Sequence, residues 1–298
     1  MMKRFFNSLI YALLYTWVRL HALLPMAALY VLSDIFYVLI YRLVRYRVRV
    51  VRSNLSGAFP DLSAEERRRL ERRFYHHFSD YVVETIKLSG MSHEELLRRA
   101  HLRNPEMVRP LLDAGHKSLV LVMGHYGNWE WFTGFPSRFG GQLEVCQIYR
   151  PLDSLAFDRL FLTLRTRFGA RCVPKKDVVR ELVRTARPSS PPALFVFIAD
   201  QTPSRANLHY WTTFLHRDTA MLNGPERLAV KMNLPVIYAD VRRESRGHYT
   251  VDFQLLTDAP RSKPENWITE EYTRRMERTI LRDPACWLWT HRRWKYTR

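Results

Sequence analysis

Residues 119–130 read LVLVMGHYGNWE, an apolar run that stops at a glycine-flanked turn and opens into an aromatic segment. Leu119–Met123 has the length and apolar content of a buried strand. A helix is expected from about Asn128 to Phe139. In open α/β sheets, ligands bind beyond the C-terminal ends of the strands, so His125 is expected to stand exposed at a strand end. Gly124 and Gly127 permit a tight turn there. Asn128 can cap the helix, with Glu130 in its first turn. On a continuous helix His125 and Glu130 would diverge by ~140°. With a turn between them, the carboxylate can fold back onto the imidazole. Glu130 is then expected to fix the tautomer of His125 and stabilise the imidazolium while His125 removes a proton.

The flanking sequence alternates in the same way. Leu143–Ile148, Leu194–Ala199, Pro235–Val241 and Tyr249–Leu256 read as strands. Ser154–Phe168, Val178–Thr185, Gly224–Met232 and Glu270–Leu281 read as helices. This alternation predicts an α/β fold, a mixed sheet flanked by helices on both faces. Upstream, residues 61–90 read as an amphipathic helix with Phe74, Phe78, Tyr81, Val82 and Thr85 on its inner face. Ser63 with Glu66 has capping-box spacing, and Ser92 with Glu95 repeats it for a shorter helix through Ala100.

The N-terminus is different in kind. Phe5–Val18 is interrupted only by Asn7, Ser8 and Thr16, and Ala22–Tyr41 carries one charge, Asp34. A helix over the second stretch would be ~30 Å long, the thickness of a hydrocarbon core. Arg42, Arg45, Arg47, Arg49 and Arg52 follow at once, a flank suited to the anionic cytoplasmic leaflet. Asp34, Arg19 and Pro25 weigh against a full span, which leaves open a helix lying in the interface or a buried core pair. The expected division is residues 1–52 as membrane anchor and basic flank, and 53–298 as a single α/β domain.

Composition narrows the function. Forty-seven Lys and Arg against 29 Asp and Glu give a net charge of +18, which implies a polyanionic partner. The 47% hydrophobic and 13% aromatic content excludes a disordered basic tail. Three cysteines with no CxxC exclude a disulfide-stapled fold and a structural zinc site. A nucleic-acid-binding protein would use the charge, but the chain lacks a zinc finger, helix-turn-helix or aromatic RNA-binding signature and residues 5–41 would go unexplained. A catalytically silent membrane scaffold is disfavoured by the presence of both His125 and Glu130. No Ser or Cys nucleophile elbow accompanies His125, so direct attack by a substrate hydroxyl is simpler than a covalent enzyme intermediate.

GHYGNWE resembles the H-x4-[DE] motif of the glycerolipid acyltransferase superfamily, and specifically that of the lipid A biosynthesis acyltransferases, the late lauroyl/myristoyl transferases of Gram-negative bacteria. NLSGAFPDLS (54–63) is similar to that family's N-L-x-x-x-F-P segment, Tyr149-Arg150-Pro151 to its R-P turn, and Arg165 with Arg167 to its arginine pair. Ala199-Asp200-Gln201 resembles its strand-end D-[QH] motif. Gly224–Ala229 resembles its G-x-x-x-L-A helix, and Trp287–Lys295 its terminal W-x-H-R-R-[FW]-K. The resemblance spans nearly the whole chain. Two segments depart from it: Thr202–Asn207 replaces a glycine-containing loop, and Phe214-Leu215-His216 stands for F-[FL]-G. These departures bear on which acceptor and which acyl length are used.

The resemblance implies a glycerolipid-acyltransferase-like α/β sandwich. It also implies transfer of a fatty acyl group from acyl carrier protein to a hydroxyl of a lipid A precursor, at the cytoplasmic face of a bacterial inner membrane, with no metal or organic cofactor. His125 would deprotonate the hydroxyl of a β-hydroxyacyl chain. Backbone N–H groups at Gly127 and Asn128, or an arginine, are oxyanion candidates. Arg150, Arg165 and Arg167 are candidate phosphate or carboxylate ligands, or else surface arginines paired with Asp153 and Asp158. Asp200 and Gln201 are candidates for substrate binding; Asp200 would position substrate or brace an arginine. His291 with Trp287, Trp289 and Trp294 is expected to form a C-terminal packing motif. A lysophospholipid or an amino-acid-containing lipid is the alternative acceptor for the same chemistry.

Overall fold

The computed structural model describes residues 2–296 and 298. Its centre is a seven-stranded mixed sheet in the order β1-β9-β8-β2-β5-β3-β4. The strands are β1 (Ala100–Leu102), β2 (Ser118–Met123), β3 (Glu144–Tyr149), β4 (Arg171–Pro174), β5 (Ala193–Ile198), β8 (Val236–Ser245) and β9 (His248–Thr257). β8, β2, β5, β3 and β4 run parallel, while β9 is antiparallel to β8 and carries β1 with it. The α/β class expected from the alternation therefore holds. β2 is buried at every residue, which is why it shows no polar alternation in sequence.

Three segments differ from expectation. The first is Trp129–Phe139, which is a 3-10 helix rather than an α-helix. Pro136 lies inside it and has no N–H to close an α-helical bond. A Cβ on Gly134 would come within 2.6 Å of Leu96 Cδ2, so close packing constrains the same stretch. The second is a separate hairpin, β6 (Tyr210–Phe214) with β7 (Arg217–Met221), that the sequence did not announce. Its turn residues, Leu215 and His216, both adopt positive φ (49° and 63°). His216 thus takes a left-handed position that Gly would occupy without strain, and its Nδ1 lies 3.0 Å from Ala58 O.

The third is the N-terminal layer. α1 (Met2–Ala22) and α2 (Met26–Tyr37) meet at Pro25, and a π-helical turn, Val38–Leu43, continues α2. α3 (Val48–Ala58) runs through the expected boundary at 52/53. α4 (Ala64–Leu88) starts at the expected capping box: Ser63 accepts from Glu66 N–H, and Glu66 accepts from Ser63 N–H. The helix is not simply amphipathic. Glu71, Asp80, Glu84 and Lys87 are buried alongside Phe74, Tyr75 and Leu88, because α2 and α1 pack on α4. The remaining helices are α5 (His93–Arg99), α6 (Arg109–Asp113), α7 (Leu155–Thr166), α8 (Val178–Thr185), α9 (Gly224–Met232) and α10 (Trp267–Arg282).

Candidate active site

Register builds the site. β2 and β5 are parallel neighbours paired Met123 to Ile198. Two steps further along both strands brings His125 opposite Asp200. Asp200 is almost fully buried and accepts three hydrogen bonds. His125 N–H donates to Oδ2 at 2.8 Å, Trp287 Nε1–H donates to the same oxygen at 2.7 Å, and the His125 ring Nδ1 lies 2.6 Å from Oδ1. Burial raises the carboxyl's pKa, but the charge of His125 and these donors outweigh burial and hold it down to about 2. An ionised Asp200 holds the proton of His125 on Nδ1 and leaves the lone pair on Nε2. Gln201 Nε2 lies 3.3 Å from that nitrogen, and Trp129 meets the imidazole edge-on at 5.0 Å between ring centres.

The turn around His125 is held from behind. Tyr126 bridges to Trp287, Gly127 N–H donates to Cys286 O at 2.9 Å, and Leu288 N–H donates to His125 O. Gly124 is required by close approach: a Cβ there would sit 2.2 Å from Met276 Cε and 3.2 Å from Asp200 Oδ2. The C-terminal segment expected only to pack is thus part of the site, since Trp287 holds the carboxylate that holds His125. His291 lies beside it and accepts from Thr202 N–H through Nε2 at 3.2 Å, with burial pushing its pKa down to about 4.

Glu130 does not orient His125. Its buried carboxylate accepts a bidentate pair from Arg165, Nε at 2.7 Å and Nη2 at 2.6 Å, and a third bond from Trp129 Nε1 at 3.2 Å. The 3-10 geometry and the strand-end turn direct Glu130 toward α7. Burial disfavours charge on Arg165, but Glu130 outweighs it and raises the guanidinium's pKa. The signal that finds Asp200 instead is a carboxylate just past the end of another apolar strand, provided the strand order is known.

The remaining candidates divide cleanly. Arg150, Arg165, Glu130, Gln201 and His125 all line one pocket of about 520 Å³, together with Met123, Phe132, Ile148, Val196 and Ile198. Arg150 makes no hydrogen bond or ion pair among the described residues. Arg167 is elsewhere. Its Nη1 donates to Leu88 O and Met91 O, tying off carbonyls at the end of α4. The Gly127 amide is committed to Cys286 O, and the Asn128 side chain is buried and donates to Glu84 at 2.9 Å. Neither residue is among those lining the pocket, and the Gly127 amide is not free to act as the expected oxyanion donor. Among the described residues, no group of three or more His, Cys, Asp or Glu could hold a metal ion.

A buried-carboxylate-oriented histidine facing a part-apolar, part-cationic pocket is the equipment of a group-transfer enzyme acting on a hydroxyl. Comparison with known proteins fixes the class. Residues 2–296 match the model of the bacterial lipid A biosynthesis acyltransferases, and the chain belongs to that family. It is an acyltransferase. It is 24% identical to a lipid A biosynthesis acyltransferase of Haemophilus influenzae over 251 residues, 84% of this chain and 78% of that protein. It is 22% identical to the lipid A biosynthesis lauroyltransferase of Escherichia coli K12 over 289 residues, 94% of this chain and 91% of that one.

Proposed function

We propose that this enzyme is membrane-bound and transfers a fatty acyl group from an acyl carrier protein thioester to a hydroxyl of a lipid A precursor, on the cytoplasmic face of a bacterial inner membrane. The observation that carries the chemistry is the hydrogen-bonded His125–Asp200 pair opening on a pocket lined by apolar side chains and by Arg150 and Arg165. The acceptor hydroxyl replaces the Gln201 amide at His125 Nε2 and gives up its proton there as its oxygen attacks the thioester carbonyl. The tetrahedral intermediate collapses with cleavage of the C–S bond, and the thiolate leaves without strong acid assistance. Imidazolium, stabilised by Asp200, then returns its proton to the thiolate.

Met123, Phe132, Ile148, Val196 and Ile198 offer the acyl chain an apolar wall. Gln201 and Arg165 are the polar groups beside the reacting carbonyl, with Glu130 as the positioning residue for Arg165. Arg150 faces the phosphate of the acceptor. The reaction so written consumes no metal or organic cofactor. The basic surface suits both the acidic carrier protein and an anionic leaflet.

The direct test is purified enzyme with defined acyl-carrier-protein donors and a tetra- or penta-acylated glucosamine disaccharide, read by mass spectrometry. Addition of one acyl chain, abolished by His125→Ala in a folded, membrane-associated variant, is expected. Near-normal turnover by His125→Ala would remove the base from the mechanism. Acylation of a lysophospholipid instead of the disaccharide would replace the acceptor and leave the chemistry.

A further inference from the structure

Met26–Leu43 is one helical stretch of 18 residues, long and apolar enough to cross a membrane. Its contacts say otherwise. α2 and its π-helical extension lie antiparallel along the whole of α4, and each stretch is fastened to it. At the start, Lys87 Nζ donates to Ala22 O and Leu24 O at 3.1 and 3.0 Å. Next, Tyr30 OH donates to Glu84 at 3.1 Å and Ser33 OH donates to Asp80 at 2.7 Å. Then Tyr37 stacks on His76 at 3.6 Å, and at the far end Tyr41 OH donates to Glu71 at 2.8 Å. Asp34 pairs with Arg246 at 2.7 Å, and Arg246 also pairs with Asp80.

Both ends of the segment are therefore held by one helix of the catalytic domain. α4 cannot follow α2 through hydrocarbon. It buries the charged side chains Glu71, Asp80, Glu84 and Lys87 and carries exposed Arg68, Arg69 and Arg73 in its N-terminal half. Withdrawing α2 into a bilayer would take Tyr30 from Glu84 and Ser33 from Asp80, and would carry Asp34 into hydrocarbon without Arg246.

The opposite side of the layer has no partner. Ile35 is 61% exposed, Leu43 70%, Leu13 63% and Leu155 61%. Arg42, Arg45 and Arg49 stand exposed beside the end of this face with no carboxylate partner among the described residues. Leu152, also exposed, lines the catalytic pocket, and Leu155 follows it on α7, the helix on which α1 packs.

We propose that α1 and α2 lie flat in a single leaflet, seating the enzyme on the bilayer without crossing it. The apolar face enters the acyl region, the unpaired arginines meet anionic headgroups, and the pocket opens by way of Leu152 toward the same surface. A lipid acceptor then reaches His125 without leaving the leaflet. This deepens the membrane-bound part of the function above and is independent of which lipid is acylated.

Two measurements decide it. Full-length Leu23→Cys and Ala114→Cys enzymes, one at the corner between the helices and one on an exposed loop of the domain, are labelled with a membrane-impermeant maleimide. Labelling is compared in inverted vesicles and in spheroplasts, with the unmodified chain as background. Labelling of both from one side is expected. Labelling from opposite sides would mean that α2 crosses, and would overturn the proposal. Flotation with phosphatidylethanolamine–phosphatidylglycerol vesicles then tests the face. Val31→Asp/Ile35→Asp is expected to weaken binding at least tenfold, with acyl transfer in mixed micelles unchanged. Undiminished vesicle binding would overturn the assignment of this face. Failure of the parent enzyme to transfer acyl chains in the same micelles would count against the catalytic reading alone.

Discussion

Asp200→Asn separates the carboxylate that holds His125 in the structure from Glu130, the partner expected from sequence. The substitution is nearly isosteric and keeps one oxygen to accept from His125 N–H and Trp287 Nε1–H, so the fold has little reason to change. The amide nitrogen, however, faces the ring at the 2.6 Å contact now made by Oδ1. It can only donate there, which moves the imidazole proton to Nε2 and turns the base away from its substrate. The variant also removes the anion that stabilises imidazolium. That anion is strongly preferred in place, since the carboxyl falls from 3.8 to about 2 despite full burial. Loss of a correctly held tautomer in a comparable Ser-His-Asp triad costs about 10⁴ in rate. We expect kcat for acyl transfer to fall by about 10³–10⁴, which is ~4–5.5 kcal/mol of transition-state stabilisation. KM for the acyl donor should change little, and stability should fall only by the ~1–3 kcal/mol of weakened charge-assisted bonds. The assay is initial-rate acyl transfer across pH, beside thermal unfolding of the same preparation. Turnover within tenfold of the parent would refute the reasoning. So would an equal loss in Glu130→Gln with unchanged stability, because Glu130 would then be the orienting group.

The other expectations follow from the same contacts. Glu130→Gln breaks the buried bidentate pair and should destabilise the protein by ~2–4 kcal/mol, scaled down because Arg165 is partly exposed; Arg165→Met added to it should restore part of the melting temperature. Trp287→Phe leaves Asp200 one donor short, and should lower kcat about tenfold with a modest loss of stability, read from kinetics and melting together. Gly124→Ala should impair activity more than stability, since the Met276 side chain can yield but Asp200 must shift; Met276→Ala in the same chain should recover stability before rate. His77 is buried with neither ring nitrogen bonded, and burial lowers its pKa to about 3. Because the folded state holds this histidine neutral while the unfolded chain protonates it near 6.5, stability should be full above pH 6.5. It should fall by up to ~1.4 kcal/mol per pH unit as pH drops toward 3. His77→Phe should flatten that limb in urea titrations taken at several pH values.

What the sequence revealed and what it hid have different physical origins. β2 and β5 were legible because strands buried on both faces must be continuously apolar. The cap at Ser63 was legible because capping is a local interaction of neighbouring residues. His125 was legible for the same reason, as a polar residue between glycines at the end of an apolar run. Its partner was not. Glu130 is close in sequence, but the chain between them bends the wrong way, whereas Asp200 comes from 75 residues on through strand order. The hairpin turn was hidden because Leu215 and His216 take a conformation that ordinarily signals itself through Gly or Asn. In α4 the polar residues facing α2 looked like a wet face, since periodicity records polarity and not what covers it. Arg167 looked like a substrate ligand because an unpaired arginine and one that closes helix carbonyls are identical in sequence.

The pairing of charges explains why two acidic groups beside one histidine do not conflict. If Glu130 were ionised and unpaired in this pocket, it would compete for the proton taken from the acceptor and repel an oxyanion forming nearby. Bound by both nitrogens of one edge of Arg165, it contributes almost no net charge and instead fixes where the guanidinium stands. Asp200 is sealed behind the imidazole by Trp287 and by the His125 amide, so its charge reaches the substrate only through the ring. Under the function proposed above, the pocket presents one base and the side chains of Arg150 and Arg165, while Glu130 and Asp200 are occupied and Asp153 is the further carboxylate of its lining. Separating the two carboxylates onto different partners is what allows a motif with an acid five residues after its base to place the base on one ion pair and the anchoring cation on another.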